Sequence, residues 1–87
     1  MTIQEARLAV ELNAICSHRG ITYYAYGIQY IHPYRKTPSW AIILGSRGAN
    51  SIVNASIEET SVLNWNAPRD FVEQKLSQMK EQKGNQE

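Results

Sequence analysis

The sequence predicts an α+β domain with element order α-β-β-β-α, in which a three-stranded antiparallel sheet carries two helices on one of its faces. Three observations lead there. A capping box followed by an apolar stripe opens the chain, residues 21–57 are rich in branched and aromatic side chains broken by Pro and Gly, and a second apolar stripe follows Asn66 and Pro68.

The first helix is expected over residues 3–18. Thr2 and Glu5 stand three apart, so each side chain can satisfy a backbone N–H left without a partner at the helix start. Leu8, Leu12 and Ile15 recur at intervals of four and three, with Ala9 and Cys16 beside them, which places one apolar stripe against a core. Gly20 is the expected stop, with His18 and Arg19 near the negative end of the helix dipole.

From Ile21 to Ile31 the chain turns to Thr, Tyr and Ile, whose branched or flat side chains suit a pleated surface, and a long strand is expected. Gly27 within it points to a bulge or a close backbone approach. Pro33 and Pro38 lack a backbone donor and mark residues 32–39 as a loop. Residues 40–44 and 51–57 form the second and third strands, joined by a glycine-containing turn. Residues 58–65 read equally well as a fourth edge strand or as an irregular link. Asn66 then caps a second helix, along which Trp65, Pro68, Val72, Leu76 and Met79 make the apolar stripe. Residues 1–80 are thus expected to form one domain and residues 81–87 a flexible polar tail.

With 87 residues, the chain has room for one thin core and no second domain. The net charge is only +1, which argues against a surface wholly devoted to nucleic acid or anionic lipid, although a local patch fits within a neutral total. The cations Arg7, Arg19, Arg35, Lys36 and Arg47 face only Glu5 and Glu11 in residues 1–50, so the basic excess lies early. The lone Cys16 and the lack of a leader pattern or long apolar run lead to an expectation of a cytoplasmic protein without a membrane span.

Catalysis needs converging groups, and the sequence offers few. On a helix, Cys16 and His18 would point to different sides, so they make a poor metal pair, and His32 is the only other ligand of that type. Ser17, with His18 and Glu11, would lie inside a helix rather than on an exposed turn. Adjacent Glu58 and Glu59 are badly placed to cooperate. No enzyme, cofactor or metal is therefore expected. Gly45, Ser46, Arg47 and Gly48 spell the GxxG of the KH-domain loop, but strand patterns flank them where that family has helices, and a conformational turn is the simpler account. The order helix, three strands, helix also occurs in double-stranded RNA-binding domains. Their second helix opens with lysines, whereas this one opens Ala67, Pro68, Arg69, Asp70.

Aromatic placement is the most unusual feature. All five tyrosines, Tyr23, Tyr24, Tyr26, Tyr30 and Tyr34, fall within twelve residues, and Trp40 follows. Strict alternation puts Tyr24, Tyr26 and Tyr30 on one sheet face, whereas a bulge at Gly27 would exchange the faces. Two short helices can cover only one side of the sheet, leaving apolar surface on the other. The leading expectation is a small non-enzymatic protein-interaction domain, an adaptor, inhibitor or homodimerising accessory protein of a kind common in phage and mobile elements. It would meet a protein partner or a second copy of itself through Tyr24, Tyr26, Tyr30, Tyr34 and Trp40. The alternative is a nucleic-acid-binding module in which Arg35, Lys36 and Arg47 hold phosphates from neighbouring loops while tyrosines stack on bases.

Overall fold

A computed structural model describes residues 1–48 and 50–86, with side chains up to Met79. Among the described residues there are two helices and five strands: α1 (Ile3–Leu12), β1 (Ile15–His18), β2 (Ile21–Ile31), β3 (Ser39–Gly45), β4 (Ile52–Ser56), β5 (Thr60–Asn64) and α2 (Arg69–Gln86). The molecule is α+β with an antiparallel sheet, but that sheet has five strands, not three or four.

The capping box forms as expected, with Glu5 N–H donating to the Thr2 hydroxyl at 3.1 Å and Thr2 N–H donating to the Glu5 carboxylate at 2.8 Å. The helix nevertheless stops at Leu12, well short of Gly20. Asn13 takes the left-handed conformation at φ 51°, and its N–H turns back to the carbonyls of Ala9 and Val10. Its side-chain amide donates to Ala25 O on β2 at 3.0 Å, tying the helix end to the sheet. Residues 15–18 then form β1, which is paired on both sides, with β2 and with β5. Gly20 does not end a helix. Arg19 and Gly20, both at positive φ, form the two-residue turn between His18 and Ile21, as the primed hairpin turns require.

Sheet order is β4-β3-β2-β1-β5, every neighbouring pair being antiparallel. The two outermost strands are consecutive in the chain and are joined only by residues 57–59. In a flat sheet they would stand four spacings, about 19 Å, apart. Four residue steps from Ser56 to Thr60 reach at most about 14 Å. The sheet must therefore curl into a half-open barrel whose rims meet at this turn. The Thr60 hydroxyl donates to Ser56 O across it at 2.8 Å.

Inside the curl lie Cys16, Ala25, Ile42, Leu44 and Ala55, joined by Ala6 and Ala9 of α1. The many alanines let a helix approach a tightly curved sheet. α1 packs on β2, and α2 packs on α1. The expectation that both helices pack on one face of the sheet is not confirmed: the ten-residue α1, about 15 Å long, packs on β2, and the main neighbour of α2 is α1. The helical backbone of α2 runs to Gln86, into the segment expected as a polar tail.

Asn13 offers a direct test of this joint. Asn13→Ala should lower stability by about 2 kcal/mol in urea unfolding, from a strained left-handed residue plus one lost hydrogen bond. Asn13→Gly, which relieves the strain, should lose about half as much. Equal losses would show that backbone conformation contributes nothing there.

Candidate functional site

A single bulge decides where the aromatic side chains go. Along β2 and β3, Ala25 pairs with Leu44, but the next pair is Gly27 with Ile43, so Tyr26 is an extra residue. Before the bulge, Tyr23 and Ala25 face the core and Tyr24 faces out. Beyond it the alternation is inverted: Ile28, opposite buried Ile42, faces inward, and Tyr30, opposite Trp40, continues that inner face. Strict alternation is thus overturned. Tyr24 and Tyr26 do not share a face with Tyr30 and Trp40, and the predicted partner-binding residues divide into two groups.

The first group lies on the convex side near the 46–51 turn. The rings of Tyr24 and Tyr26 are nearly parallel, 23° apart in plane and 6.5 Å between centroids. Gly45 makes this possible, because a Cβ there would sit 2.8 Å from the Tyr26 ring and 2.9 Å from Ser51 O. The Tyr26 hydroxyl donates to Ser46 O at 2.7 Å and fixes its ring against the turn. That turn is closed by Ser46 N–H to Ser51 O at 2.9 Å and by Ser51 N–H to the Ser46 hydroxyl at 3.1 Å, with Gly48 at φ 85°. The GxxG stretch therefore contributes to a strand-to-strand turn. Asn13, Tyr24, Tyr26 and Arg47 together line an open pocket of about 470 Å³.

The second group lies at the other end of β3. Tyr30 and Trp40 meet edge to face at 4.9 Å and 60°, and His32 lies 6.2 Å from Tyr30. Arg7 of α1 reaches over the Trp40 ring at 6.0 Å. Tyr30 is 52% exposed and Trp40 38%, although Ile28 and Ile42, two residues inward, are half-buried and fully buried. Tyr34 projects from the 32–38 loop with Arg35 over its ring at 5.2 Å. Arg35 and Lys36 thus sit at one end of the seven-residue β3 and Arg47 at the other, roughly 20 Å along the strand. The expectation that these three cations act from neighbouring loops is corrected.

A second, more apolar groove of about 460 Å³ runs beside β5 and α2, lined by Leu63, Trp65, Val72, Leu76 and the Arg69–Glu73 ion pair. Sequence reasoning did not single out Asn13 as a pocket wall. The available signal was an asparagine directly after an apolar helical residue, a common left-handed stop.

The nucleophile inventory changes position rather than gaining chemistry. On strand β1, Cys16 and His18 fall on one face instead of the diverging sides a helix would give. His18 Nδ1 lies 3.4 Å from the Thr60 hydroxyl. Among the described residues no three of His, Cys, Asp and Glu gather as a metal site would require. Glu59 pairs with Arg19 at 3.1 Å.

Cys16 is fully buried, and desolvation pushes its thiol up to about 11. The native state holds this proton to higher pH than the unfolded chain does. Its contribution to stability is therefore complete below the ordinary thiol value of 9.0 and falls as pH rises toward about 11. At mildly alkaline pH, a disulfide reagent should label Cys16 no faster than the protein unfolds, and rapid stoichiometric labelling of native protein would contradict the burial. Comparisons with protein-family models, with curated proteins and with solved structures each found no match.

Proposed function

We propose that the chain is a small non-enzymatic protein-interaction domain whose first partner is a second copy of itself. The observation that carries this reading is the uncovered end of the inner sheet face. Tyr30 and Trp40 continue the inner face that carries Ile28 and Ile42, yet both remain substantially exposed, with the Arg7 side chain of α1 over the Trp40 ring. A Tyr–Trp pair with an Arg beside it has the composition of an interface centre, where large rigid rings bury much area at little cost in rotamer freedom.

The sheet edges support the choice of a second copy. β4 and β5 are the outermost strands, of five residues each, and neither contains a charged residue or a proline. Such residues are the usual guards against strand addition. Exposed Ile52 on β4 and Leu63 on β5 add apolar surface along these edges. Among the described residues, no helix is long and apolar enough to cross a membrane, so this surface does not belong to a helical membrane span.

Sedimentation over a concentration series tests the reading. Wild-type protein should rise above the protomer mass with concentration, and a Tyr30→Ser/Trp40→Ser double variant should stay at the protomer mass with an unchanged circular dichroism spectrum. A wild-type protein that remains at protomer mass throughout, with tryptophan emission unaffected by dilution, would overturn it.

A further inference from the structure

The open pocket on the convex side is separate from the aromatic pair just described, and its chemistry differs. From its geometry we propose that Tyr24, Tyr26, Asn13 and Arg47 form a binding site for an unpaired nucleobase and its phosphate, as presented by single-stranded nucleic acid.

Four features carry this. Two nearly parallel tyrosine rings offer a planar surface, and stacking on such rings tolerates any base because every base has a flat π-face. The platform is prearranged: the Tyr26 hydroxyl is held by Ser46 O, and the ring lies where a Gly45 Cβ would otherwise stand. Arg47 stands on the same pocket wall, at the turn, with a guanidinium suited to phosphate oxygens or base edges. Finally, the sequence has no Asp or Glu between Glu11 and Glu58, so β1 through β4 and all their turns carry cations without a single carboxylate. The protein's near-neutral total therefore conceals an acid-free sheet, and among the described residues the carboxylates lie on the helices and the 57–59 link.

The pocket's size suits one nucleotide unit, falling within the roughly 300–1,000 Å³ usual for small-ligand clefts. Its openness to solvent suits a base belonging to a passing strand better than a metabolite that must be enclosed. A duplex would keep its bases stacked on one another and present no free face.

Fluorescence polarisation with labelled octamers tests the site: oligouridylate RNA, the corresponding DNA, and an RNA duplex of equal length, each at low and moderate salt. Both single strands should bind with an affinity that falls with salt, and the tighter of the two identifies the natural source. Tyr24→Ala should weaken binding by about tenfold to a hundredfold. Arg47→Gln should reduce the slope of log affinity against log salt by about 0.7, the loss of one phosphate contact to a single strand. Free uridine monophosphate should compete only at much higher concentration. No binding at low salt, equal binding of the duplex, or binding unaffected by both substitutions would overturn the proposal. The self-association reading rests on the opposite sheet face and other residues, so failure of either leaves the other standing.

Discussion

Three residues, 57–59, separate strands that lie at opposite margins of a five-stranded sheet, and this short tether constrains the rest of the molecule. A sheet whose margins must meet has to curl, and a curled sheet of this size encloses little volume. The core accordingly uses Ala14, Ala25 and Ala55 where a flatter sheet would carry larger side chains, and α1 brings Ala6 and Ala9 to meet them. The concave side accommodates one short helix. The second helix packs mainly on the first.

Curling also imposes a bend on the eleven-residue β2, which crosses the middle of the sheet. The bend is taken up at Tyr26 by the bulge, and an extra residue inverts the inside–outside alternation beyond it. Tyrosines that are neighbours in sequence therefore serve two surfaces. Tyr24 and Tyr26 form a rigid platform beside Arg47 on the convex side. Tyr30 and Trp40 extend the inner face past its helical cover. The two proposed activities follow from one local departure from regular pairing.

Elements governed by nearby residues were legible in the sequence. The Thr2–Glu5 box, the long strand from Ile21, the apolar run of β3 and a second helix after Pro68 were expected and are present, because capping boxes, branched residues and prolines act within a few positions. Asn66, however, does not cap that helix: it stands at φ 57°, with its side-chain amide on Asn13 O, and the helix begins at Arg69. What the sequence concealed depends on distant partners. Ile15 fits a helical stripe and a strand equally, and β1 exists because β2 and β5 flank it. For the same reason residues 58–65 could not be resolved locally, since β5 is a strand only through its pairing with β1. Gly27 did mark the bulge region, and its expected consequence, an exchange of faces, is what the register shows. Strict alternation, the simpler rule, was the misleading one. The link from Asn13 to Ala25 O joins residues twelve apart and had no local signature.

The separation of the aromatic residues by the Tyr26 bulge is the claim on which both surfaces depend, and proton–proton contacts in solution report it directly. A nuclear Overhauser spectrum should connect the Tyr26 ring to the Gly45 Hα protons and the Tyr30 ring to the Trp40 indole, with no contact between the Tyr26 ring and the Ile28 methyl groups. Cross-peaks joining the Tyr26 ring to Ile28, without those from Tyr26 to Gly45, would mean an unbulged strand with Tyr26, Ile28 and Tyr30 on one face, and would contradict the account.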